Sequence, residues 1–258
     1  MRASCNAGRP EQVANGARPT LEPVVLLTGA AGGIGRAVVE RLRQLHARIY
    51  ATDLVLASLP CTDPQMVAAH LDVTDEAAVR TVIAECLTRF GRLDQVVHLA
   101  GRTGHGSIDQ LSTAEWRELL DVNLTSAFVL ARECHAALRA SQGSLVLTAS
   151  TNGLNGGNAL SGAAYAVAKA GIINLTRYLA KEWATERIRV NCIAPGPIDT
   201  PMLGRLGSDV RERLEAAIPL GRLGNAADVA NAIAYLIANE SSFVTGTVMN
   251  LSGGLVLD

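Results

Sequence analysis

Short apolar runs alternate with amphipathic segments along the chain from Pro23 onward. The apolar runs show no strict in–out alternation, and most of them are followed by a segment whose apolar residues recur at the helical period. Strands that are buried on both faces of a sheet give runs of the first kind, and the helices that cover them give segments of the second kind. The pattern therefore predicts an α/β fold in which a doubly wound, Rossmann-type parallel sheet is flanked by helices.

The boundaries of these elements follow from the places where the pattern changes. Strands are predicted over 24–28, 47–53, 67–73, 93–101, 143–150 and 188–194, with a short last strand over 247–251. Helices are predicted over 34–45, 75–90, 113–140, 161–186 and 226–237. No linker, repeat or low-complexity run divides residues 23–258, so they are predicted to form a single domain. Residues 1–22 are polar and punctuated by Gly and Pro, and they are predicted to be a mobile extension.

Composition narrows the classes of partner. The formal net charge is −1, which gives no electrostatic reason to expect nucleic acid or an anionic membrane as a partner. No apolar run reaches the length of a membrane span, and the N-terminus has no apolar signal region. Five scattered cysteines without a CxxC spacing argue against a disulfide framework and a zinc site. We therefore expect a cytoplasmic protein with no structural metal.

A glycine-rich segment, TGAAGGIG, lies where the first strand turns into the first helix. Gly29, Gly33 and Gly35 let the backbone approach a ligand, and the following helix presents unpaired N–H groups to a phosphate. A tight turn alone would also explain the glycines. Asp53, however, follows Gly35 by 18 positions at the end of the second strand. A carboxylate there can bind an adenosine ribose and would repel a 2′-phosphate, so the segment predicts a dinucleotide site that favours NAD(H) over NADP(H).

The segment GAAYAVAKAG places Tyr165 and Lys169 one helical turn apart on one face of a predicted helix. An ordinary aromatic residue and a solvated lysine would give the same spacing. As a catalytic pair, the ammonium would favour the phenolate and move the pKa of Tyr165 down from about 10 toward the range of a general acid/base.

Several segments, read in chain order, resemble those of the classical short-chain dehydrogenases/reductases. They are T-G-x-x-x-G-x-G (28–35), Asp72-Val73, DVNL (121–124), Y-x-x-x-K (165–169), APGPIDTPM (194–202) and GRLGNAADVA (221–230). The resemblance covers residues 24–254. It implies a Rossmann-fold, NAD-binding catalytic domain over 23–258 and an oxidoreductase that interconverts a secondary alcohol and a ketone by hydride transfer.

The resemblance also implies roles for individual residues. The implied catalytic residues are Asn123, Ser150, Tyr165 and Lys169. The implied cofactor contacts are Thr28, Gly29, Gly33, Ile34, Gly35, Asp53, Asp72, Val73, Ala100, Gly101, Tyr165, Lys169, Pro195, Gly196, Ile198 and Thr200. In this reading Tyr165 is the general acid/base, Lys169 also binds the nicotinamide ribose, and Asn123 supports a water relay to the lysine.

The hydroxyl donor to the substrate oxygen has two candidates. Ser150 matches the family's strand-end serine, but it precedes Tyr165 by 15 positions, about two more than is usual in the family. Asn152 keeps the usual spacing and is the alternative donor. An insertion in the intervening glycine- and asparagine-rich loop explains the longer spacing, because loops absorb length while the strand end stays in place. Ser161 is predicted to cap the next helix.

A second departure from the family lies in HLAG (98–101), where two amides usually precede Ala-Gly. His98 and Leu99 replace amides whose implied role is to brace the central strand. We expect His98 to pack inside the sheet and not to act as a ligand or base.

Two functions of different classes are consistent with these features. The first is an NAD(H)-dependent dehydrogenase/reductase acting on a small-molecule alcohol or ketone. The second is a catalytically silent dinucleotide sensor of the same fold. Because a sensor needs no catalytic residues, the retention of Tyr165, Lys169 and Asn123 favours the enzyme. The resemblance further implies a homotetramer, with helices 113–140 and 161–186 between subunits. The identity of the substrate does not follow from the sequence.

Overall fold

The computed structural model describes residues 22–59, 63–201, 203 and 207–257. Nearly all of the predicted N-terminal extension, residues 1–21, therefore lies outside the described residues. None of the helices in the described part of the chain is long and apolar enough to cross a membrane.

Seven parallel strands form one sheet in the spatial order β3-β2-β1-β4-β5-β6-β9. The strands are β1 (Val24–Thr28), β2 (Arg48–Asp53), β3 (Met66–His70), β4 (Gln95–His98), β5 (Ser144–Thr148), β6 (Arg189–Pro195) and β9 (Val248–Leu251). A separate two-stranded ribbon pairs β7 (Ile198–Asp199) with β8 (Gly224–Asn225). The predicted doubly wound sheet of a single domain is confirmed, and its strand order reverses between β1 and β4.

Eight α-helices are present among the described residues. They are α1 (Gly33–Gln44), α2 (Glu76–Phe90), α3 (Thr113–Leu120), α4 (Ser126–Ser141), α5 (Thr151–Asn155), α6 (Ala163–Trp183), α7 (Ser208–Ala217) and α8 (Ala226–Ile237). One apolar core contains buried residues of α2, α4 and α6 and the sheet residues that face them; the other contains those of α1 and α8. Both faces of the sheet are thus covered, which explains why the strands are apolar without alternation.

Local signals set several helix ends. Asp75 caps α2 by accepting hydrogen bonds from the backbone nitrogens of Ala77 and Ala78, and Gly91 ends this helix in the left-handed conformation. Ser112 and Glu115 form a capping box at the start of α3. Side-chain bonds of this kind stabilise a helix end by about 1 kcal/mol each.

The structure differs from the predicted elements in several places; among them, the predicted strand 93–101 ends at His98, so Ala100 and Gly101 follow β4. The predicted helix 113–140 is interrupted by one π-helical turn, Asp121–Thr125, which separates α3 from α4. The predicted strand 67–73 ends at His70, so Asp72 and Val73 lie in the turn that follows β3. The short elements α5, α7, β7 and β8 were not predicted, because segments of two to ten residues carry too few periodic positions to give a signal.

Candidate active site

The glycine loop between β1 and α1 leaves no room for side chains. Gly29 has φ of 71°, and a Cβ there would lie 2.6 Å from the Ala100 backbone nitrogen. A Cβ at Gly35 would lie 2.1 Å from the Gly29 carbonyl oxygen. Gly32 caps α1 without a side-chain hydrogen bond, so the first-turn N–H groups of this helix are left for a ligand; we call the glycine loop and this turn the cradle. The cradle fits a pyrophosphate, since exposed N–H groups and the helix dipole both favour an anion.

Thr200 lies against the first turn of α1. A Cβ at Gly33 would stand 2.9 Å from the Thr200 Cβ, so the segment after β6 closes over the start of the helix. Ile198 is buried in β7, while Ile34 is partly exposed at the helix start. Four predicted cofactor contacts from two distant parts of the chain therefore lie near one another: Gly33 and Ile34 at the start of α1, and Ile198 and Thr200 after β6.

The Asp53 carboxylate faces the glycine loop from the end of β2. Its Oδ2 accepts a hydrogen bond of 2.9 Å from the Ala31 backbone nitrogen, and its Oδ1 accepts one of 3.3 Å from the Val55 nitrogen. An ionised carboxylate has about four acceptor positions. Two remain for the hydroxyls of a ribose, and the residue also braces the loop that would hold the phosphates.

Asp72 and Val73 follow β3 in the turn next to the end of β2, where the Leu71 nitrogen donates to the Asp53 carbonyl oxygen at 3.0 Å. Asp72 Oδ1 accepts bonds from the Thr74 nitrogen at 2.9 Å and the Thr74 hydroxyl at 2.7 Å, and these bonds hold the pKa of Asp72 below its usual value. Val73 is buried. The Asp72 side chain thus shapes its own turn, and its contact with adenine stays a prediction.

Asn123 occupies the middle of the π-helical turn and is 1% exposed. Its amide nitrogen donates to the carbonyl oxygens of Arg102 at 2.8 Å and Leu119 at 2.9 Å, and its Oδ1 accepts from the Arg102 nitrogen at 3.1 Å. The amide therefore ties the segment after β4 to the turn. A Cβ at Gly101 would lie 2.7 Å from Asn123 Oδ1 and 3.4 Å from the Lys169 Nζ, so these groups are brought together.

Lys169 is buried on α6. Its Nζ donates a hydrogen bond of 2.7 Å to the Thr148 carbonyl oxygen at the end of β5. Burial lowers the pKa of Lys169 to about 8, and the buried Cys192 acts weakly in the opposite direction. The ammonium is consequently present at neutral pH and is lost as the pH rises through about 8.

Tyr165 lies one turn before Lys169, whose Nζ is 5.5 Å from the centre of the phenol ring. Burial raises the pKa of Tyr165, and a hydrogen bond with Ser150 opposes this rise. The prediction that the lysine lowers this pKa below its ordinary value is therefore wrong for the protein as described. The ammonium bonds to Thr148 and not to the phenol, so burial dominates and Tyr165 is a protonated phenol at neutral pH.

Ser150 stands at the end of β5, beside Tyr165. Its Oγ accepts a hydrogen bond of 3.2 Å from the Asn152 nitrogen, caps the short helix α5 and lies 3.5 Å from the Pro195 carbonyl oxygen. Of the two predicted donors, Ser150 is the one whose hydroxyl interacts with the Tyr165 phenol. Whether it donates to a substrate stays a prediction.

The longer connection between Ser150 and Tyr165 is taken up by α5 and the loop after it. Asn155 and Asn158 each bond the backbone nitrogen two residues on, at 2.9 Å, and so form turns. Ser161 bonds the Asn158 carbonyl oxygen, and Gly162 occupies the cap of α6. The prediction that Ser161 caps this helix is wrong, because the loop turns once more before α6 begins.

Pro195 and Gly196 end β6 next to Ser150. The Pro195 carbonyl also lies 3.4 Å from the Thr151 hydroxyl, and the Gly196 nitrogen donates to the Leu251 carbonyl oxygen at 3.0 Å. A Cβ at Gly196 would lie 3.0 Å from the Cα of Ser252. The Pro-Gly segment is therefore held between α5 and the end of β9, at the same edge of the sheet as the glycine loop.

Thr28 is fully buried, and its hydroxyl lies 2.7 Å from His98 Nδ1. The Ala100 nitrogen donates to the same hydroxyl at 3.4 Å. Thr28 thus acts inside the sheet, and any cofactor contact by it stays a prediction. His98 is 2% exposed, which confirms that it packs inside the sheet.

Two residues of the site escaped the sequence analysis. Thr148 supplies the carbonyl that holds Lys169, a backbone role that no side-chain pattern reveals. Gly153 seats α5 on α6, since a Cβ there would lie 2.6 Å from the Lys169 carbonyl carbon. The unusual density of glycines after Ser150 was the available signal for a close approach of this kind.

Comparison with known proteins is consistent with this site. A family model described as enoyl-(acyl carrier protein) reductase matches residues 29–256. The 3-oxoacyl-[acyl-carrier-protein] reductase FabG of Escherichia coli is 34% identical, over 91% of this chain and 97% of that protein. The cis-4-hydroxycyclohexanecarboxylate dehydrogenase of Sinomonas cyclohexanicum is also 34% identical, over 90% of this chain and 96% of that protein.

A solved structure from Brucella melitensis, described as a short-chain dehydrogenase/reductase of the glucose/ribitol dehydrogenase type, is similar with a TM-score of 0.87. It is 30% identical and covers 92% of this chain and 97% of its own. Sequence and fold agree over nearly the whole described chain. The chain belongs to the classical short-chain dehydrogenase/reductase family and is an oxidoreductase.

Proposed function

We propose that the protein is an NAD(H)-dependent dehydrogenase/reductase that interconverts a secondary alcohol and a ketone, with Tyr165 as the general acid/base. The observation that carries this proposal is the convergence of Tyr165, Lys169 and Ser150 at the end of β5, next to the glycine loop. Bound NAD(H) would supply or accept the hydride. The glycine cradle, Asp53 and the segment Pro195–Thr200 would hold it.

The protein's own groups account for the proton. In the reducing direction, the protonated phenol of Tyr165 donates its proton to the carbonyl oxygen of the substrate, and Ser150 donates a hydrogen bond to the same oxygen. The phenolate that forms is stabilised by the Lys169 ammonium, 5.5 Å from the ring centre. In the oxidising direction the same groups act in reverse, and Tyr165 takes the proton of the alcohol.

The choice of NAD(H) depends on Asp53. A 2′-phosphate next to this carboxylate would place two negative charges in contact, which disfavours NADP(H). The carboxylate already bonds the Ala31 nitrogen at 2.9 Å, so it is fixed in place before a cofactor arrives. Charge and position together support the preference.

Substitution of Asp53 tests this preference directly. Asp53→Arg is expected to raise the ratio of kcat/KM for NADPH to that for NADH by about 100-fold, because two charged hydrogen bonds to ribose are lost and a repulsion is removed. Asp53→Asn is the matched control: its single amide oxygen can still accept from the Ala31 nitrogen, so the bond to the glycine loop is kept, while the charge and the weaker bond from the Val55 nitrogen are lost. A ratio that stays unchanged in Asp53→Arg would show that Asp53 does not select the cofactor.

The competing function is a sensor that binds the dinucleotide without turning anything over. Two assays separate the two functions. Protein fluorescence measures NADH binding, and absorbance measures NADH oxidation in the presence of each ketone of a panel. The panel should hold an alicyclic ketone, a keto-sugar and a 3-oxoacyl thioester, since relatives of equal identity are named for quite different substrates. Tight binding of NADH with no turnover of any panel member would favour the sensor.

We also propose a homo-oligomer that assembles through the outer side of α4 and α6. This side carries exposed Phe128 (47%) and Tyr178 (63%) and a groove of about 470 Å³. Exposed aromatic residues around a groove are typical of a protein interface. Light scattering of the purified protein tests the proposal, and a monomer at micromolar concentration would contradict it. The thiols of Cys86, Cys134 and Cys192 are free and buried, which supports a reducing, cytoplasmic location.

A further inference from the structure

His98 lies at the centre of a buried chain of hydrogen bonds that crosses from β1 to the π-helical turn. Its Nδ1 is 2.7 Å from the Thr28 hydroxyl, and its Nε2 is 3.1 Å from the Ser126 hydroxyl. Thr28 accepts from the Ala100 nitrogen at 3.4 Å, and Ser126 donates to the Val122 carbonyl oxygen at 2.8 Å. The three side chains in this hydrogen-bond network, Thr28, His98 and Ser126, are all buried.

The direction of every hydrogen bond in this network follows from the bonds at its two ends, that of Ser126 to Val122 and that of Ala100 to Thr28. Because the Ser126 hydroxyl gives its only proton to the Val122 carbonyl, it can only accept from His98, so Nε2 carries the imidazole proton. Nδ1 must then accept the proton of the Thr28 hydroxyl, which leaves Thr28 free to accept from Ala100. A neutral imidazole with the proton on Nε2 satisfies the whole chain.

The surroundings keep the imidazole neutral. Burial and, to a smaller extent, the nearby charge of Lys169 lower the pKa of His98 to about 3. A protonated ring would have a second N–H where the Thr28 hydroxyl donates, and it would place a second positive charge near the lysine. His98 is therefore a neutral imidazole at neutral pH.

The chain connects two sides of the active site. At one end, Thr28 holds Ala100, against which Gly29 of the cofactor loop packs. At the other end, Ser126 holds the turn that carries Asn123, whose amide grips Arg102. The segment 100–102 is therefore fixed from both ends, and Gly101 in its middle lies against Asn123 and Lys169.

We propose that His98 is a positioning residue for the reaction, because its neutral imidazole fixes the cofactor loop through Thr28 and the Asn123 turn, with Lys169, through Ser126. This inference rests on the proposed function. It assigns a role in the reaction to a residue buried inside the sheet, and it makes the two ring nitrogens responsible for two different quantities, Nδ1 for NADH affinity and Nε2 for kcat.

Two substitutions separate the two nitrogens. An asparagine amide reaches about the position of Nδ1 and a glutamine amide about that of Nε2, so His98→Asn retains the Thr28 bond and His98→Gln retains the Ser126 bond. We expect His98→Asn to lower kcat by about 10- to 100-fold, the effect of a misplaced catalytic group, with NADH affinity little changed. His98→Gln is expected to weaken NADH binding and to retain most of kcat.

A double-mutant cycle supplies the control. Ser126→Ala should lower kcat in the wild-type and His98→Gln proteins, but it should add almost nothing in His98→Asn, where the bond is already lost. Equal kinetic losses in both His98 variants, or additive effects of His98→Asn and Ser126→Ala, would overturn the proposal and leave His98 as a purely structural residue.

One measurement does not depend on activity or on the stability of variants. Nitrogen-15 NMR of the wild-type protein is expected to show His98 as the neutral tautomer with the proton on Nε2, unchanged between pH 6 and 8, as about 3 pH units separate this range from its titration. A proton on Nδ1 would overturn the chain of bonds. If no ketone is reduced by the wild type, the proposed function fails, whereas the NMR result and NADH binding still decide the placement of His98.

Discussion

Tyr165→Phe is expected to lower kcat for ketone reduction by about 10³-fold, within the range measured for the loss of a positioned general acid. The substitution removes only the hydroxyl, and the ring keeps its place on α6. NADH binding should change much less than kcat, because only one implied cofactor contact, the Tyr165 hydroxyl, is lost and the glycine cradle and Asp53 are unaltered. Stopped-flow or steady-state absorbance of NADH, together with fluorescence titration of the cofactor, measures both quantities on one preparation.

The same helix offers a matched control. Tyr178 is exposed, and its hydroxyl bonds Glu182 at 3.3 Å, so Tyr178→Phe makes the same chemical change away from the site. It should leave kcat within about twofold, because the ring that contributes to the proposed subunit interface is kept and only the exposed bond to Glu182 is lost. Full activity in Tyr165→Phe would refute the assignment of the acid, and equal losses in both variants would point to a general effect on α6.

The pH dependence of kcat/KM is expected to follow the deprotonation of Lys169. Burial lowers the pKa of this lysine to about 8, so its ammonium is present below pH 8 and disappears above it. The pKa of Tyr165 is raised, so the phenol stays protonated over the same range. The value of kcat/KM for NADH in the reducing direction should thus be level below pH 8 and fall about tenfold per pH unit above it.

Two substitutions at this position check the origin of the fall. Lys169→Met removes the charge and should lower kcat/KM by about 10² or more with little dependence on pH. Lys169→Arg retains a charge that does not titrate in this range, so the alkaline fall should vanish even if the larger head group lowers the rate. A wild-type profile that stays level to pH 10, or an unchanged fall in Lys169→Arg, would contradict the assignment.

Much of the fold followed from hydrophobic pattern alone. All seven strands of the main sheet and the long helices α1, α2, α6 and α8 were located to within a few residues, because a buried parallel strand and an amphipathic helix each leave a long periodic trace. The glycine loop was placed because its position after the first strand limits its geometry. The pairing of Tyr165 with Lys169 needed only the helical repeat.

What the sequence could not reveal depends on contacts between distant segments. The π-helical turn at Asp121–Thr125 interrupts a pattern that is periodic on both sides of it, so it leaves no trace in hydrophobicity. The pKa of Tyr165 is raised because the folded protein buries the phenol, and the residues next to it in the sequence do not indicate this burial. The role of His98 arises because Thr28 and Ser126, 98 residues apart, converge on one ring.

The long connection before α6 has a consequence for engineering. Ser150 is anchored at the end of β5, and α5 rests on the backbone of α6 through Gly153, so the first part of the connection holds the acid and the hydroxyl in place. Residues 156–161 follow α5, and their described long-range backbone bonds go to Gly104 and Gly106 in the loop after β4 and not to Ser150 or Tyr165. A combinatorial library confined to these six positions can therefore vary length and side chains to redirect substrate range, while the proton-transfer machinery stays in register.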